Sequence, residues 1–348
     1  MKKTISIVLS LYNEEQGIPG FWLALNEELE KLSSVNFELI WVNDGSVDRT
    51  QLFINDILSR NTENHIAHCS IEFSRNFGHE AAMIAGIDRS NGEAVICMDS
   101  DGQHPPAEIS KMIDSFSSGK DLVLMERIER ADNGLLKTFL SSSFYRIINR
   151  LSSVKFQRNT TDFFLISRQV AEHLKSNYRE QSRFIRGYLQ DIGFTVEILP
   201  FHAPCRLCGE SKYSYLKLFA HALNAVFAFS NKPLRISMYC SGIFLMFTFL
   251  FGLYTFYMYL YGDSPPSGYT SIILLLLISF SMLFLVITVL SLYFEKAIKE
   301  MRQRPIYIVR DVKYSSVKRK RRSLSSVTKS VLKKNSIEKG AQKMAHNY

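Results

Sequence analysis

Apolar and polar positions alternate along the first part of the chain in the way that an α/β domain requires. Short apolar runs predict five strands, over residues 5–11, 37–43, 66–73, 94–99 and 121–125. Between them, apolar residues recur at helical spacing, for example over residues 21–32 and 50–59. Strands that alternate with helices favour a mainly parallel sheet. We therefore predict a Rossmann-like α/β domain over residues 1–210.

Two later stretches are apolar on all sides instead of on one face. No charged residue occurs from Ile236 to Gly262 or from Tyr269 to Phe294. Each is long enough for the roughly 20 residues with which a helix crosses a bilayer. We predict a two-helix transmembrane hairpin over residues 236–295, preceded by an interfacial amphipathic helix and linker over residues 211–235.

The charges beside these stretches predict an orientation. The loop between them carries no Lys or Arg, whereas basic residues flank the hairpin on both outer sides: Lys232, Arg235, Lys296, Lys299, Arg302 and Arg304. Basic flanks face the cytosol, so both ends of the hairpin are expected there. The α/β domain and the tail would then lie on the same side of the membrane.

The basic charge of the chain is concentrated in its tail. From Glu295 to Tyr348 there are sixteen Lys and Arg against four Asp and Glu, a net charge of +12; the whole chain carries +9, so the first 294 residues carry −3. We interpret residues 296–348 as a basic cytosolic tail that binds anionic membrane lipids and not nucleic acid. A solvated tail without a ligand stays open for the last twenty-odd residues.

Cysteine usage and the N-terminus favour a reducing compartment. Five cysteines are too few and too scattered for a disulfide framework. Cys205 and Cys208 form a C-x-x-C, but no second pair or histidine cluster completes a zinc site, which favours coincidence over zinc or redox chemistry. The N-terminal apolar run is short, alternates, and ends at Asn13, so it predicts a strand and not a signal peptide.

Polar clusters follow four of the predicted strands. They are Tyr12-Asn13-Glu14-Glu15, Asn43-Asp44-Gly45-Ser46-Val47-Asp48, Arg75-Asn76-Phe77-Gly78-His79-Glu80 and Asp99-Ser100-Asp101-Gly102-Gln103. Any one of them could be an ordinary turn or helix cap. Four at the carboxyl ends of parallel strands predict a ligand site at that edge of the sheet.

The fourth cluster predicts a metal site. Asp99 and Asp101 would present two carboxylates to a common point, with Gln103 as a further ligand. Hard oxygen ligands suit Mg²⁺ or Mn²⁺, which can bridge a diphosphate and neutralise it as a leaving group. Neither G-x-G-x-x-G after the first strand nor a P-loop is present, so phosphates must be bound by another device.

Together these motifs resemble a known family. The segments that carry the likeness are S-L-Y-N-E-E, V-N-D-G-S-V-D-R-T, R-N-F-G-H-E, M-D-S-D-G-Q-H-P-P and C-G-E-S-K-Y-S. They look like family 2 glycosyltransferases of the GT-A fold, and more narrowly the polyprenyl-phosphate glycosyltransferases, which include dolichol-phosphate mannose synthases and bactoprenol glucosyltransferases. The likeness extends from residue 4 to about residue 300.

The resemblance implies an activity and a location. It implies an inverting transfer of a hexose, with glucose from UDP-glucose as first choice, onto undecaprenyl phosphate at the bacterial inner membrane. The lipid-linked sugar would serve cell-envelope glycan modification, such as that of lipopolysaccharide O-antigen. Other sugars, the choice between Mg²⁺ and Mn²⁺, and homo-oligomerisation stay open.

The resemblance also implies roles for individual residues. The nucleotide sugar would be bound by Tyr12, Asn13, Glu14, Asp44, Gly45, Arg75, Asp99 and Arg183. The metal would be bound by Asp99, Asp101 and Gln103. The catalytic and phosphate-gripping residues would be Asp162, Arg206, Ser211 and Lys212, with Arg186 as a helper.

Departures and alternatives complete the sequence prediction. Relatives carry an acid where this chain has His104 and an arginine where it has Phe164, which could mark a changed sugar preference. No Q-x-x-R-W is present, which argues against a processive synthase. A non-catalytic membrane scaffold and a nucleotide-sugar sensor are the two alternatives to an enzyme.

Overall fold

The computed structural model describes residues 2–60, 66–128, 157, 160–181, 183–204, 232–261 and 268–315. Within these residues the strands are β1 (Thr4–Leu11), β2 (Asn36–Asn43), β3 (Ile66–Phe73), β4 (Ala94–Asp99), β5 (Leu122–Arg127), β6 (Thr160–Ser167), β7 (Val196–Phe201) and β8 (Val309–Tyr314). The helices are α1 (Ile18–Lys31), α2 (Thr50–Arg60), α3 (His79–Arg89), α4 (Ile109–Ser117), α5 (Arg168–Asn177), α6 (Ile185–Asp191), α7 (Lys232–Tyr261) and α8 (Tyr269–Met301).

All of these strands join one sheet, in the order β7-β5-β6-β4-β1-β2-β3-β8. The centre is parallel, because β1 pairs with β2 and β4, and β2 pairs with β3, in the same direction. The strands β6 and β8 run antiparallel to their neighbours β4 and β3. The sheet is therefore mixed but mainly parallel, as predicted.

Side chains on both faces of the sheet are buried. Leu9 and Trp41 pack with α1, α2 and α4 on one face, whereas Val8 and Ile40 pack with α3, α5 and α6 on the other. A parallel sheet covered on both faces gives continuous apolar strands, and this explains why β1–β4 were readable as uninterrupted runs. Their carboxyl ends leave the sheet at one edge, so the four polar loops lie together.

The strand predictions agree closely with the structure. The first four match β1–β4 to within one residue, and the fifth is shifted by one to two residues toward Arg127. Helix α1 begins three residues earlier than predicted, because Pro19 suits the first turn of a helix. Strands β6, β7 and β8 were not predicted from the sequence.

Helix α3 lies unusually close to β1. A Cβ atom at Gly86 would fall 2.1 Å from Val8 Cγ1 and 3.0 Å from Val8 Cβ. The helix would have to move away from β1 to relieve this clash. We therefore expect Gly86→Ala to lower the free energy of unfolding by about 1–3 kcal/mol. Gly20→Ala is the matched control, because nothing lies within 4 Å of a Cβ there and alanine favours a helix. Denaturant unfolding in detergent would measure both, and equal stability of the two variants would contradict the expectation.

The two long helices α7 and α8 contact each other and expose apolar side chains. Within them, Leu234–Met258 and Leu274–Met301 have mean hydropathies of 1.9 and 2.7 and are candidate membrane spans by length and composition. More than half of the surface of Phe247, Leu253 and Phe284 is exposed. A soluble monomer rarely exposes so much contiguous apolar surface. Of the predicted interfacial helix and linker, residues 211–231 lie outside the described residues.

After α8 the chain returns to the sheet. Strand β8 pairs with β3, with Ile71 opposite Val312 and Glu72 opposite Asp311. The backbone amide of Ser74 donates to the carbonyl of Ile308 at 3.0 Å, just beyond the end of β3. Part of the segment that the sequence analysis treated as a tail thus completes the sheet.

Candidate active site

The loops after β1 and β2 are tied together by a reciprocal pair of hydrogen bonds. The backbone amide of Asn13 donates to Ser46 Oγ at 3.0 Å, and the amide of Val47 donates to Asn13 Oδ1 at 3.0 Å. Asn13 has a φ of 56°, a left-handed conformation that asparagine tolerates better than most residues. This pair leaves the neighbouring Tyr12 about half exposed at the sheet edge.

Asp44 connects the second loop to the third. Its Oδ1 accepts a hydrogen bond from the amide of Phe77 at 2.6 Å and its Oδ2 one from the amide of Gly78 at 2.9 Å. Burial raises the pKa of Asp44, while these two amides and the nearby His79 and Arg183 oppose the rise. The side chain of Asp44, predicted to bind the nucleotide sugar, therefore also holds the β3–α3 loop in place.

Gly45 permits the close approach of these two loops. Its φ is 65°, and a Cβ there would fall 2.3 Å from the carbonyl carbon of Arg75. The Arg75 guanidinium lies 4.0 Å from the centre of the Phe77 ring. Arg183 Nη2 donates to the carbonyl of Phe77 at 3.3 Å. Gly45, Arg75 and Arg183, all predicted for nucleotide-sugar binding, thus meet around one loop.

At the end of β4, Asp99 is connected to His79 through Ser10. Ser10 Oγ lies 2.8 Å from His79 Nδ1 and donates to Asp99 Oδ1 at 3.1 Å. His79 Nε2 lies 3.5 Å from Asp99 Oδ1 and 3.6 Å from Asp162 Oδ2. Burial alone would lower the pKa of His79, but Asp99 and Asp162 outweigh it and raise the pKa to about 9. The ring is therefore an imidazolium between two carboxylates at neutral pH.

Asp162 also forms an ion pair with Arg186. Its Oδ1 lies 3.1 Å from Arg186 Nε. Burial would raise the pKa of Asp162, but the His79 ring 3.6 Å away and the charge of Arg186 lower it to about 2. The buried atoms Asp162 Oδ1, Arg186 Nε and His79 Nε2 make ion pairs but no hydrogen bond of favourable geometry among the described residues.

These groups open into a cavity of about 170 Å³ beyond the strand ends, lined by Asp99, Gln103, His104, Arg127, Thr161, Asp162, Arg186, Phe201 and Ala203. Both acidic and basic side chains line it. Such a cavity suits a ligand that carries both a negatively charged phosphate and polar hydroxyls.

The donor set at this edge fits a divalent cation that a diphosphate completes. Asp101 Oδ1 accepts the amide of Gln103 at 2.9 Å, which shapes the turn, and the side chain of Asp99 is 30% exposed. In the described part of the chain, no three His, Cys, Asp or Glu side chains converge on one point. Mg²⁺ commonly uses one or two carboxylates together with substrate phosphates, so an open pair agrees with that chemistry.

His104 stands where the resemblance to the family predicts an acidic residue. Its side chain is buried and packs against its neighbours. Its Nδ1 accepts the backbone amide of Asp99 at 2.8 Å, and its ring stacks on Phe163 with centroids 5.0 Å apart. The substitution therefore supports the position of Asp99 from behind.

Glu80, in the first turn of α3, is a further acidic group beside this cluster. Burial and the charge of Asp162 raise its pKa to about 7, against the opposing charges of Arg186, His79 and Arg183. Because the unfolded chain gives up this proton near its ordinary value of 4.5, the folded state should lose stability as pH rises from about 4.5 to about 7. We expect Glu80→Gln to remove that loss, and the exposed Glu30→Gln to leave it unchanged. Urea unfolding across this range measures it, and parallel profiles for wild type and Glu80→Gln would refute it.

Three of the predicted site residues, Arg206, Ser211 and Lys212, lie outside the described residues. Ser10, in contrast, was not predicted, and His79 and Glu80 were predicted only as members of the polar cluster after the third strand, without roles of their own. The position of His79 in R-N-F-G-H-E, directly after a strand, could have indicated a site residue. Its contact with Asp162 depends on the pairing of β6 with β4, which the sequence did not predict.

The mainly parallel sheet, with Asp99 at the end of β4 and Asp101 in the loop that follows, has the architecture of the GT-A class of transferases. Glycosyl transferase family 2 matches residues 6–175. The chain is 33% identical over 309 residues to the prophage bactoprenol glucosyl transferase homolog of Escherichia coli (strain K12), covering 89% of this chain and 99% of that protein. The same identity and coverage hold for the bactoprenol glucosyl transferase of Shigella phage SfV. The chain belongs to glycosyltransferase family 2.

A solved structure resembles the fold more distantly. Glucosyl-3-phosphoglycerate synthase from Mycobacterium tuberculosis, in complex with Mn²⁺, UDP-glucose and phosphoglyceric acid, aligns with a TM-score of 0.43 at 17% identity. The alignment covers 65% of this chain and 78% of that one.

Proposed function

We propose that this protein is a membrane-bound, inverting glucosyltransferase that moves glucose from UDP-glucose to undecaprenyl phosphate. The observation that carries the proposal is the charged cluster of Asp99, His79, Asp162 and Arg186 at the cavity edge. The 33% identity to bactoprenol glucosyl transferases over 89% of the chain supports the choice of donor and acceptor.

The donor binds along the loops after β1–β3. Its nucleotide lies against Tyr12, Asn13 and Glu14, and beside Asp44, whose oxygens retain lone pairs after accepting two amides. Arg75 and Arg183 lie at the same loop and attract the diphosphate. This arrangement directs the sugar toward Asp99 and Asp162.

The diphosphate ends beside Asp99, Asp101 and Gln103, which would hold Mg²⁺ or Mn²⁺. A divalent ion held by these residues would neutralise the charge that builds on the UDP leaving group. Arg186 provides positive charge at the cavity wall, and His79 lies beside Asp99 and Asp162 next to it.

The transfer itself is a single displacement. An oxygen of the acceptor phosphate attacks the anomeric carbon, the bond from that carbon to the UDP oxygen breaks, and UDP leaves with the electron pair. The second pKa of a phosphate monoester is near ~6, so the acceptor is already an anion and needs no strong base. Asp162, held ionised by His79 and Arg186, stabilises positive charge that develops on the sugar ring.

The acceptor's location agrees with the two apolar helices. Undecaprenyl phosphate keeps its hydrocarbon in the bilayer, and α7 and α8 anchor the catalytic sheet beside it, with the sheet and the basic flanks on the cytosolic side. Anionic lipids bind the basic residues next to these helices. Arg206, Ser211 and Lys212 complete the grip on the acceptor phosphate.

The test is transfer of radiolabelled sugar by the purified full chain in proteoliposomes that contain undecaprenyl phosphate. UDP-glucose, UDP-galactose, UDP-N-acetylglucosamine and GDP-mannose are compared, each with and without EDTA. We expect labelled lipid from UDP-glucose, lost with EDTA. Label from another donor would change the sugar, and nucleotide binding without label from any donor would favour the scaffold or sensor.

A further inference from the structure

The end of α8 and the chain after it contact the α/β domain next to the candidate site. Between the end of α8 at Met301 and the start of β8 at Val309 there is only a short turn, in which Gln303 has a φ of 45°. We call residues 300–308 the return segment. It links a candidate membrane span directly to the edge of the sheet.

The first contact of the return segment is with the loop before α6. Glu300, in the last turn of α8, accepts the backbone amide of Gln181 through both carboxylate oxygens, at 2.9 and 3.0 Å. The side chain of Gln181 donates back to the carbonyl of Arg304. Two residues further along that loop, Arg183 donates to the carbonyl of Phe77. The end of α8 is thus one short loop away from a residue of the nucleotide-sugar site.

The second contact is made by Tyr307. Its ring stacks on Phe73 with centroids 5.2 Å apart and planes 9° from parallel, and its hydroxyl donates to Asp88 Oδ2 at 2.7 Å. Arg179 holds the same carboxylate, at 2.8 and 3.0 Å. Phe73 in turn contacts the edge of the Phe77 ring, whose backbone amide Asp44 binds.

We propose that Glu300 and Tyr307 are positioning residues that align the catalytic sheet with α8, so that a phosphate at the membrane surface reaches the Asp99–Asp162 cavity. This inference rests on the proposed function, because it assumes an acceptor embedded in the bilayer. The phosphate of such an acceptor is confined to one depth. A sheet held at a fixed angle to the membrane helix presents its cavity at that depth in every encounter, whereas a loosely tethered sheet presents it in few.

If Glu300 and Tyr307 align the sheet with α8, their loss should affect a membrane acceptor more than a soluble one. Loss of stability alone would affect both acceptors equally. A water-soluble acceptor can approach the cavity from any direction, so its transfer does not depend on how the sheet is oriented toward the membrane. Weakening the return segment should therefore raise the KM for the membrane acceptor selectively.

The experiment compares Glu300→Ala and Tyr307→Phe with wild type in proteoliposomes, using undecaprenyl phosphate and the short, water-soluble citronellyl phosphate as acceptors. Glu295→Ala is the matched control, because Glu295 lies on the same helix and pairs only with Lys299 among the ion pairs of the described residues. For Glu300→Ala we expect about a tenfold rise in KM for undecaprenyl phosphate, from the loss of two charge-assisted hydrogen bonds. The kcat and KM for citronellyl phosphate and for UDP-glucose should stay within about twofold of wild type.

The outcomes distinguish the positioning role from the transferase activity itself. Equal losses with both acceptors, or no loss with either, would overturn the positioning role while the transferase stands. A wild-type protein that labels neither acceptor would overturn the proposed function and this inference with it. Tyr307→Phe removes one hydroxyl and keeps the stacked ring, so it tests the same point if Glu300→Ala does not fold.

Discussion

Asp101→Asn is expected to reduce glucose transfer about a hundredfold to a thousandfold in kcat, as does removal of a single charge-stabilising group in other active sites. The variant keeps the shape of the side chain. It also keeps an oxygen that can accept the hydrogen bond from the amide of Gln103, which in the wild type lies 2.9 Å from Asp101 Oδ1. What it removes is one negative charge from the pair that would hold the divalent ion. Asp101 is preferred to Asp99 for this test because Asp99 also contacts Ser10.

The measurement is transfer as a function of Mg²⁺ and Mn²⁺ concentration. Asp101→Asn should need more of either ion to reach its reduced maximum. The exposed Asp114→Asn on α4 provides the same chemical change away from the site and should match wild type. Activity of Asp101→Asn within about threefold of wild type, with an unchanged metal dependence, would rule out the metal role.

Asp162→Asn is expected to lower kcat by about a hundredfold or more while the KM for UDP-glucose changes little. The carboxylate is kept ionised by His79 and Arg186, with its pKa lowered to about 2 against the effect of burial. Asparagine retains the shape but cannot stabilise positive charge on the sugar. It also leaves the Arg186 guanidinium without its counter-charge at 3.1 Å.

A double-mutant cycle separates catalysis from the ion pair. Asp162→Asn, Arg186→Gln and the double variant are compared for kcat and for the free energy of unfolding. Because the two side chains are in contact, the stability losses should be less than additive. If kcat returned in the double variant, relief of the unpaired Arg186 would explain the whole effect, and Asp162 would have no role on the sugar.

The central sheet was predictable because its order is local. Strands β1–β4 are buried on both faces, so each is a continuous apolar run that ends at polar residues. The rule that parallel strands release their loops at one edge then places Asn13, Asp44, Arg75 and Asp99 together. The structure shows these loops joined by the Asn13–Ser46 and Asp44–Phe77 hydrogen bonds.

What the sequence could not reveal depends on pairings between distant segments. Asp162 lies near His79 only because β6 runs antiparallel beside β4, with Phe164 opposite Cys97. Strand β8 carries Arg310, Asp311 and Lys313 and so looks like a solvated tail. At the edge of a sheet such charges are tolerated, since one face and one backbone edge meet water.

The pairing of β3 with β8 also sets the order in which the sheet can fold during synthesis. The amide of His68 donates to Ser315 Oγ, 247 residues further along the chain. While the ribosome makes α7 and α8, β3 has a free backbone edge, and such edges readily pair with other chains. Once β8 has docked, Arg310 and Lys313 lie along the new edge and discourage further pairing. The sheet becomes whole only in a chain that already carries both of its apolar helices.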